Sequence, residues 1–480
     1  MSHSAMNRRQ WLKLSGLLGG ALGTGTLGSL GSLLASPALA QTSDYKALVC
    51  VFLYGGNDGL NTIVPTDATR YAQYAGVRRT LALPQASLLG LGSTGYGLHP
   101  SLTGLTTAWS EGRLAPVFNV GPLFRPVTKA QFRAAPASSD LVPDSLFSHS
   151  DQQTLWESGT TDALTRTGWG GRAAEALATT NPVISVGGNG RFGLSSLVAP
   201  LVLPEPGSTF GAIELGTESW RTSYAPTMAR ADALRFINAQ TQDNDLGEAY
   251  AKMQRDAFSI SDRLGTVVKL KPGDAGSNTA IDTAFAPLVV NGALSTSLAR
   301  QLYQVANLIA SRATVQGNRQ IFFAQLGGFD THGNQIGASV TVGQHATLLK
   351  QVGDALGCFY SAMKALNMSQ SVTAFTQSDF GRTFTPNNSS GTDHAWGNHH
   401  LVLGGAVNGN TTYGSYPELV LGGPNDVGQD SWELQGRWIP TISVDQYAAT
   451  LLSWFGANDT QLDAVLPNLR NFSTRRLGFV

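Results

Sequence analysis

The sequence predicts an α/β fold: a largely parallel central sheet with helices on both faces and loop-rich insertions. Apolar runs of strand length, at Ala47–Tyr54, Leu114–Val120, Gln320–Leu326 and Val372–Thr376, are continuous rather than alternating, as in strands covered on both sides. Stretches with helical spacing separate them, and strands alternating with helices build a mainly parallel sheet. Several of the runs also end in loops rich in glycine and acid, at the rim where open α/β sheets hold ligands.

The chain has 480 residues, a formal net charge of +0, 42% hydrophobic residues and only 13% charged ones, enough for one large core. A balanced charge leaves no electrostatic footprint for nucleic acid or an anionic membrane. The first forty residues read as a targeting segment. Asn7-Arg8-Arg9-Gln10-Trp11-Leu12-Lys13 resembles the twin-arginine export signal, a Gly- and Leu-rich stretch follows to Leu34, and Ala38-Leu39-Ala40 supplies a small-x-small cleavage site. The expectation is a signal peptide over residues 1–40, a single α/β domain over 41–480 and a periplasmic or secreted product. No other stretch is long and apolar enough to span a bilayer, so no stable membrane span remains after cleavage. Cys50 and Cys358 have apolar neighbours and read as small buried hydrophobes, with no spacing that argues for a disulfide.

Taken in order, the first buried run ends in Gly55-Gly56-Asn57-Asp58-Gly59-Leu60-Asn61. Glycines around a carboxylate let the backbone turn sharply and aim Asp58 into a cleft, although an Asx turn uses the same residues. His99-Pro100-Ser101 opens a helix through Trp109, and the Pro- and Ala-rich stretch from Pro122 to Pro143 reads as a long loop. Ser148, before His149-Ser150-Asp151 and a helical run, is placed as an N-cap; the same position suits a nucleophile beside a helix dipole. Pro182–Val186 reads as a strand. A loop-rich insertion extends over about 197–280, with a helical pattern inside it from Ala225 to Leu264. Leu298, Leu302, Val305, Leu308 and Ile309 mark one helix face, and Thr341–Leu366 forms another long helix.

The run Gln320–Leu326 leads into Gly327-Gly328-Phe329-Asp330-Thr331-His332. On extended backbone Asp330 and His332, two apart, point to one side and offer a two-ligand bite. The run Val372–Thr376 leads to Asp379, Gly381 and Arg382, then Asp393-His394 and His399-His400, three of the chain's 8 histidines in one segment. Oxygen and nitrogen donors crowded onto glycine-rich loops point to a divalent metal, Zn, Mn, Mg or Ca; histidines that cap helix ends give the same pattern. Arg382 offers either a bidentate oxyanion clamp or an ion pair with one of the clustered aspartates. A last helix runs from Val444 to Phe455, with Ser443 as N-cap and Gly456 as its stop.

Gly-Gly-Asn-Asp-Gly-Leu-Asn, Gly-Gly-Phe-Asp-Thr-His, Ser-Asp-Phe-Gly-Arg-Thr and Gly-Thr-Asp-His-Ala-Trp-Gly, with the export signal, resemble the bacterial family called domain of unknown function 1501. That family looks like a distant branch of the alkaline phosphatase and sulfatase superfamily. The resemblance implies an alkaline-phosphatase-like fold, one metal position at Asp58 and Asp379, a second at Asp330, His332 and His394, and Ser148 as nucleophile. Three departures stand out. Phe380 follows Asp379 where the phosphatases carry His, so the first position lacks a ligand unless His399, His400 or Asn61 supplies it. The spacing from Asp330 to His332 is shorter than in the phosphatases. Neither cysteine lies in the Cys-x-Pro-x-Arg context that a formylglycine sulfatase needs. The functional expectation is an exported, metal-dependent hydrolase of a phosphate or related ester, acting on a small-molecule or polymer substrate and using the twin-arginine machinery as its export partner. The alternative is a non-catalytic envelope protein that binds a ligand on a degenerate scaffold of the same kind.

Overall fold

The computed structural model describes residues 44–480 apart from residue 137, residue 207 and residues 209–224. The twin-arginine segment and its cleavage site lie outside the described residues, as does part of the expected insertion. The main sheet has eight strands: β1 (Lys46–Leu53), β2 (Leu114–Gly121), β3 (Ile184–Ser185), β4 (Leu201–Val202), β5 (Arg319–Leu326), β6 (Val372–Ser378), β7 (Asn398–Gly404) and β8 (Ile442–Ser443). Their order across the sheet is β8-β2-β7-β6-β1-β5-β3-β4. All neighbours are parallel except the two pairings made by β7, with β6 and with β2.

Helices cover both faces. The ones used below are α1 (Ala68–Arg78), α2 (His149–Ser158), α3 (Trp169–Ala176), α4 (Ala225–Ala239), α5 (Asp245–Val268), α6 (Ser297–Ala310), α7 (Gln344–Ala365) and α8 (Val444–Phe455). Period-two geometry divides β1 between two cores. Ala47, Val49, Val51 and Leu53 pack with α6 and α7 on one side, and Leu48, Cys50 and Phe52 pack with α3 and α8 on the other. That two-sided burial is why the run has no polar alternation. The helix face predicted from Leu298, Leu302, Val305, Leu308 and Ile309 is fully buried.

The sequence reading departs from the structure in a few places. The expected loop between Pro122 and Pro143 contains a helix, Lys129–Ala134, held by a capping box in which the Thr128 hydroxyl accepts from Gln131 N–H and Gln131 accepts from Thr128 N–H. Past Gly456, where the sequence reading ends, a further helix, Asp459–Val465, is capped in the same way by Asn458 and Gln461. The stretch after Leu197, read as loop, contributes the edge strand β4. Helical pattern from Ala225 to Leu264 resolves into two helices, α4 and α5. Cys50 is buried, but Cys358 is only half-buried on α7.

The topology decides where the functional loops meet. β1, β5 and β6 are adjacent and parallel, so the loops after them emerge at one rim, while antiparallel β7 begins at that same rim. Segments from three distant parts of the chain, the last of them joining β6 to β7, are thereby brought together.

Candidate metal centre

Four side chains converge at that rim. His149, Asp330, His332 and His394 each offer one ligand atom, and those atoms lie within 4.8 Å of one another. Asp330 Oδ1 stands 3.3 Å from His149 Nε2, 3.2 Å from His332 Nε2 and 3.8 Å from His394 Nε2. His332 Nε2 and His394 Nε2 are 2.7 Å apart. A tetrahedral ion with bonds of 2.0–2.1 Å sets edges of roughly 3.3 Å between its ligands. The three distances from Asp330 Oδ1 fit such edges, and the His332–His394 pair is the one that must open.

Each imidazole is fixed through its other nitrogen. His149 Nδ1 donates to Asp379 Oδ2 at 2.7 Å, His332 Nδ1 to Asp393 Oδ1 at 2.9 Å, and His394 Nδ1 to the Phe147 carbonyl at 2.6 Å. Carboxylates and carbonyls only accept, so Nδ1 carries the proton in all three rings, and in the neutral form of each the lone pair is on Nε2. Three lone pairs facing one point beside a carboxylate oxygen call for a cation. His149 Nε2, buried and without a hydrogen-bond partner among the described residues, is the atom left unexplained without one. Carboxylate and carbonyl partners on the outer nitrogen are also the usual way of orienting metal-bound histidine. The cluster can therefore hold a divalent ion.

Electrostatics act differently on the rings. The Asp379 carboxylate beside Nδ1 raises His149 above the usual imidazole range, so an ion at Nε2 has to displace a proton there. Burial pushes His394 down, which favours its neutral, ligating form, although its bond to the Phe147 carbonyl works the other way. Burial alone would raise Asp330, but the Arg382 guanidinium, 2.7 Å from its Oδ1, holds it below the usual carboxylate range. The Asp330 and His332 side chains are 49% and 44% exposed, so the centre opens to solvent on their side.

The backbone explains the glycines at the rim. Gly55 and Gly56 both have left-handed φ, 111° and 78°. A Cβ at Gly55 would meet the Asp330 nitrogen at 2.4 Å, and one at Gly56 would meet the Phe380 ring at 2.4 Å. Only glycine lets the loop after β1 lie directly on the loops after β5 and β6.

Of the residues expected to bind metal, Asp330, His332 and His394 meet in one cluster. Asp379 lies one step outside it. Fully buried, it accepts from Gly55 N–H and Gln153 Nε2 as well as from His149, and so acts through that ring. Asp58 is elsewhere. Its carboxylate caps the helical turn Gly59–Thr62, pairs with the fully buried Arg78 guanidinium and accepts from Gln335 Nε2 at 2.6 Å. Arg78 thus already provides the positive charge that a metal at Asp58 would supply. Among the described residues no group of ligands forms around Asp58.

The other expected residues have settled roles. Asn61 is engaged by Tyr74, Arg78 and the Leu81 carbonyl. His399 accepts from Asn119 N–H, and His400, on β7, packs edge-on against Trp156; both are buried. Arg382 is no oxyanion clamp here. Fully buried, it donates to the carbonyls of Gly55, Gly56, Phe329 and Thr392 and pairs with Asp330, tying three rim loops together. Ser148 occupies the N-cap position of α2, yet its hydroxyl makes no capping bond and lies 3.2 Å from Ser150 Oγ.

His149 is the member of the cluster that sequence reasoning missed. It stood in view beside Ser148, but nothing local distinguishes it from a helix-capping residue. Phe380, at the position where the resemblance leads one to expect His, packs its ring against His149 at 4.8 Å and His394 at 4.5 Å. The third imidazole comes from α2 instead.

With this geometry in view, comparison with known proteins gives the family. A family profile described as "Protein of unknown function (DUF1501)" matches residues 45–426. The chain belongs to the DUF1501 family. The match begins at the residue before β1 and runs through every loop of the centre just described, so the cluster lies wholly inside the DUF1501 region. No curated protein matches this DUF1501 chain. Among solved structures it is similar to "Ps i-CgsB in complex with k-i-k-neocarrahexaose", at 10% identity and TM-score 0.32 over 87% of this chain and 74% of that one. A second structure of Ps i-CgsB matches at 10% identity and TM-score 0.32 over 88% and 77%. At that TM-score neither likeness carries an argument.

Proposed function

We propose that this protein is an exported metal-dependent hydrolase of a phosphate or related ester, on an alkaline-phosphatase-like scaffold, working from one divalent ion. The observation that carries the reading is the convergence of three fixed Nε2 lone pairs on Asp330 Oδ1 at a rim open to solvent. Nitrogen-rich ligation favours Zn or Mn over Mg or Ca, which prefer oxygen throughout. An ion held there supplies Lewis-acid polarisation of an ester oxygen and lowers the pKa of a water.

The chain's own residues divide the remaining work. His149, His332, His394 and Asp330 fix the ion, while Asp379, Asp393 and the Phe147 carbonyl fix the ring tautomers. Arg382 keeps Asp330 ionised and aimed at the centre. Among the described residues the Ser148 hydroxyl meets Ser150 Oγ and no base, so the attack is assigned to water rather than to a serine. The Arg8-Arg9 segment supports export by the twin-arginine route.

A second reading, a metal-binding but non-catalytic envelope protein, is favoured by Arg78 standing where a second cation would serve Asp58. One experiment separates the two. The purified chain is assayed for metal by inductively coupled plasma mass spectrometry and then offered aryl phosphate, phosphodiester and sulfate esters. One ion per chain with turnover abolished in His394→Ala supports the hydrolase. One ion without turnover on any ester leaves the binding protein, and a chain purified without chelators that holds no metal defeats both.

A further inference from the structure

Resting on the metal-centre reading, we infer that Arg437 is the oxyanion-binding residue of this site and that the substrate presents a tetrahedral anionic group, phosphate or sulfate, to it. Arg382, the guanidinium expected to do this, is saturated by carbonyls and Asp330. Arg437 is placed differently. Its Nε donates to the His394 carbonyl at 3.0 Å, and its Cζ lies 4.5 Å over the ring of Phe147, whose carbonyl holds His394 Nδ1. Arg437 is therefore braced by His394 and by the residue whose carbonyl fixes the His394 ring.

The backbone beneath it is equally fixed. Asp426, fully buried, accepts from the N–H groups of Gly422, Gly428, Gly436 and Arg437. Against this bracing, neither Nη1 nor Nη2 of Arg437 makes a hydrogen bond or an ion pair among the described residues. The guanidinium also lies close enough to Asp393 to help hold that carboxyl below its usual range. A rigid stem with two free Nη groups is the arrangement that bidentate recognition of a phosphate or sulfate uses.

The test uses the metal-loaded full chain, with inorganic phosphate and inorganic sulfate as separate probes in isothermal titration calorimetry. Arg437→Gln, which keeps a donor for the His394 carbonyl, is compared with Arg437→Lys and the native chain, with metal content measured in each. Losing two charge-assisted hydrogen bonds weakens anion binding by roughly 100-fold or more in Arg437→Gln. Arg437→Lys recovers part of that loss and metal content stays the same. Which anion binds more tightly identifies the ester class. Equal affinity in Arg437→Gln and native protein overturns the assignment, as does absence of phosphate and sulfate binding by a native chain that retains its ion. A fall in metal content with Arg437→Gln also overturns it, making Arg437 a positioning residue for His394. If the native chain holds no metal, the metal reading fails separately, and the same titrations still decide whether Arg437 binds the anion.

Discussion

Asp379→Asn is the sharpest perturbation of the metal centre, because it alters a ligand's partner without touching a ligand. In the native protein Asp379 Oδ2 accepts from His149 Nδ1 at 2.7 Å and Gln153 Nε2 at 2.9 Å, while Gly55 N–H lies 3.1 and 3.2 Å from the two oxygens. An asparagine must put its NH2 at one of these sites. Facing His149 and Gln153 it opposes two donors; facing the Oδ1 side it opposes only Gly55 N–H. The amide therefore keeps its oxygen on His149, and the tautomer is preserved. What disappears is the negative charge that makes the ring a better base. Loss of such a partner costs roughly 10- to 100-fold in metal affinity, about 1.4–2.7 kcal/mol. Competition for Zn against a chromophoric chelator at pH 7.5 measures this directly. His149→Ala removes the ligand altogether and weakens binding further, and Asp379→Asn then adds nothing on that background, since its effect runs through the missing ring. Native affinity in Asp379→Asn, or additive losses in the double variant, would refute the chain of contact from carboxylate to imidazole to ion.

Other consequences follow from the same contacts. Asp58→Asn leaves the buried Arg78 charge uncompensated and lowers stability by about 3–5 kcal/mol, yet leaves metal content unchanged; urea titration with metal analysis checks both, and lost metal would return Asp58 to the ligand set. Ser148→Ala retains ester hydrolysis within a few-fold if water attacks, whereas a loss of about 1,000-fold together with loss of a covalent intermediate in rapid-quench experiments would reinstate the serine. Acid sensitivity has a definite sign. Burial pushes His99, His399 and His400 down to about 3 and His345 to about 4. The unfolded chain then binds more protons below the ordinary imidazole value, so stability present at neutral pH is lost as pH falls through about 6.5 toward those values. Four such groups give a slope on the order of 4–5 kcal/mol per pH unit near pH 5, opposed by the one proton of Asp445, which burial raises to about 7. Urea denaturation at pH 7, 6 and 5 measures it, and equal stability at all three would contradict the burial of these rings.

Sequence by itself determined the layered architecture. Continuous apolar runs at β1, β5 and β6 can be satisfied only by burial on both faces, and the acids that follow them must then emerge at one rim. It also determined the bite of Asp330 and His332, because period-two geometry is local. Capping boxes at Thr128 and Asn458 were equally local, but Pro- and Asn-containing surroundings masked them.

Tertiary structure alone decided membership of the centre. Whether a buried carboxylate holds a metal or an arginine depends on what folds against it, and Asp58 meets Arg78 from α1 while Asp379 meets His149 from α2. The same holds for the two guanidinium groups. Arg382 follows a strand and is buried under three loops, whereas the Nη groups of Arg437, far along the chain, make no hydrogen bond among the described residues. Charges separated by tens to hundreds of residues neutralise one another only through the packing, and no spacing along the chain encodes that.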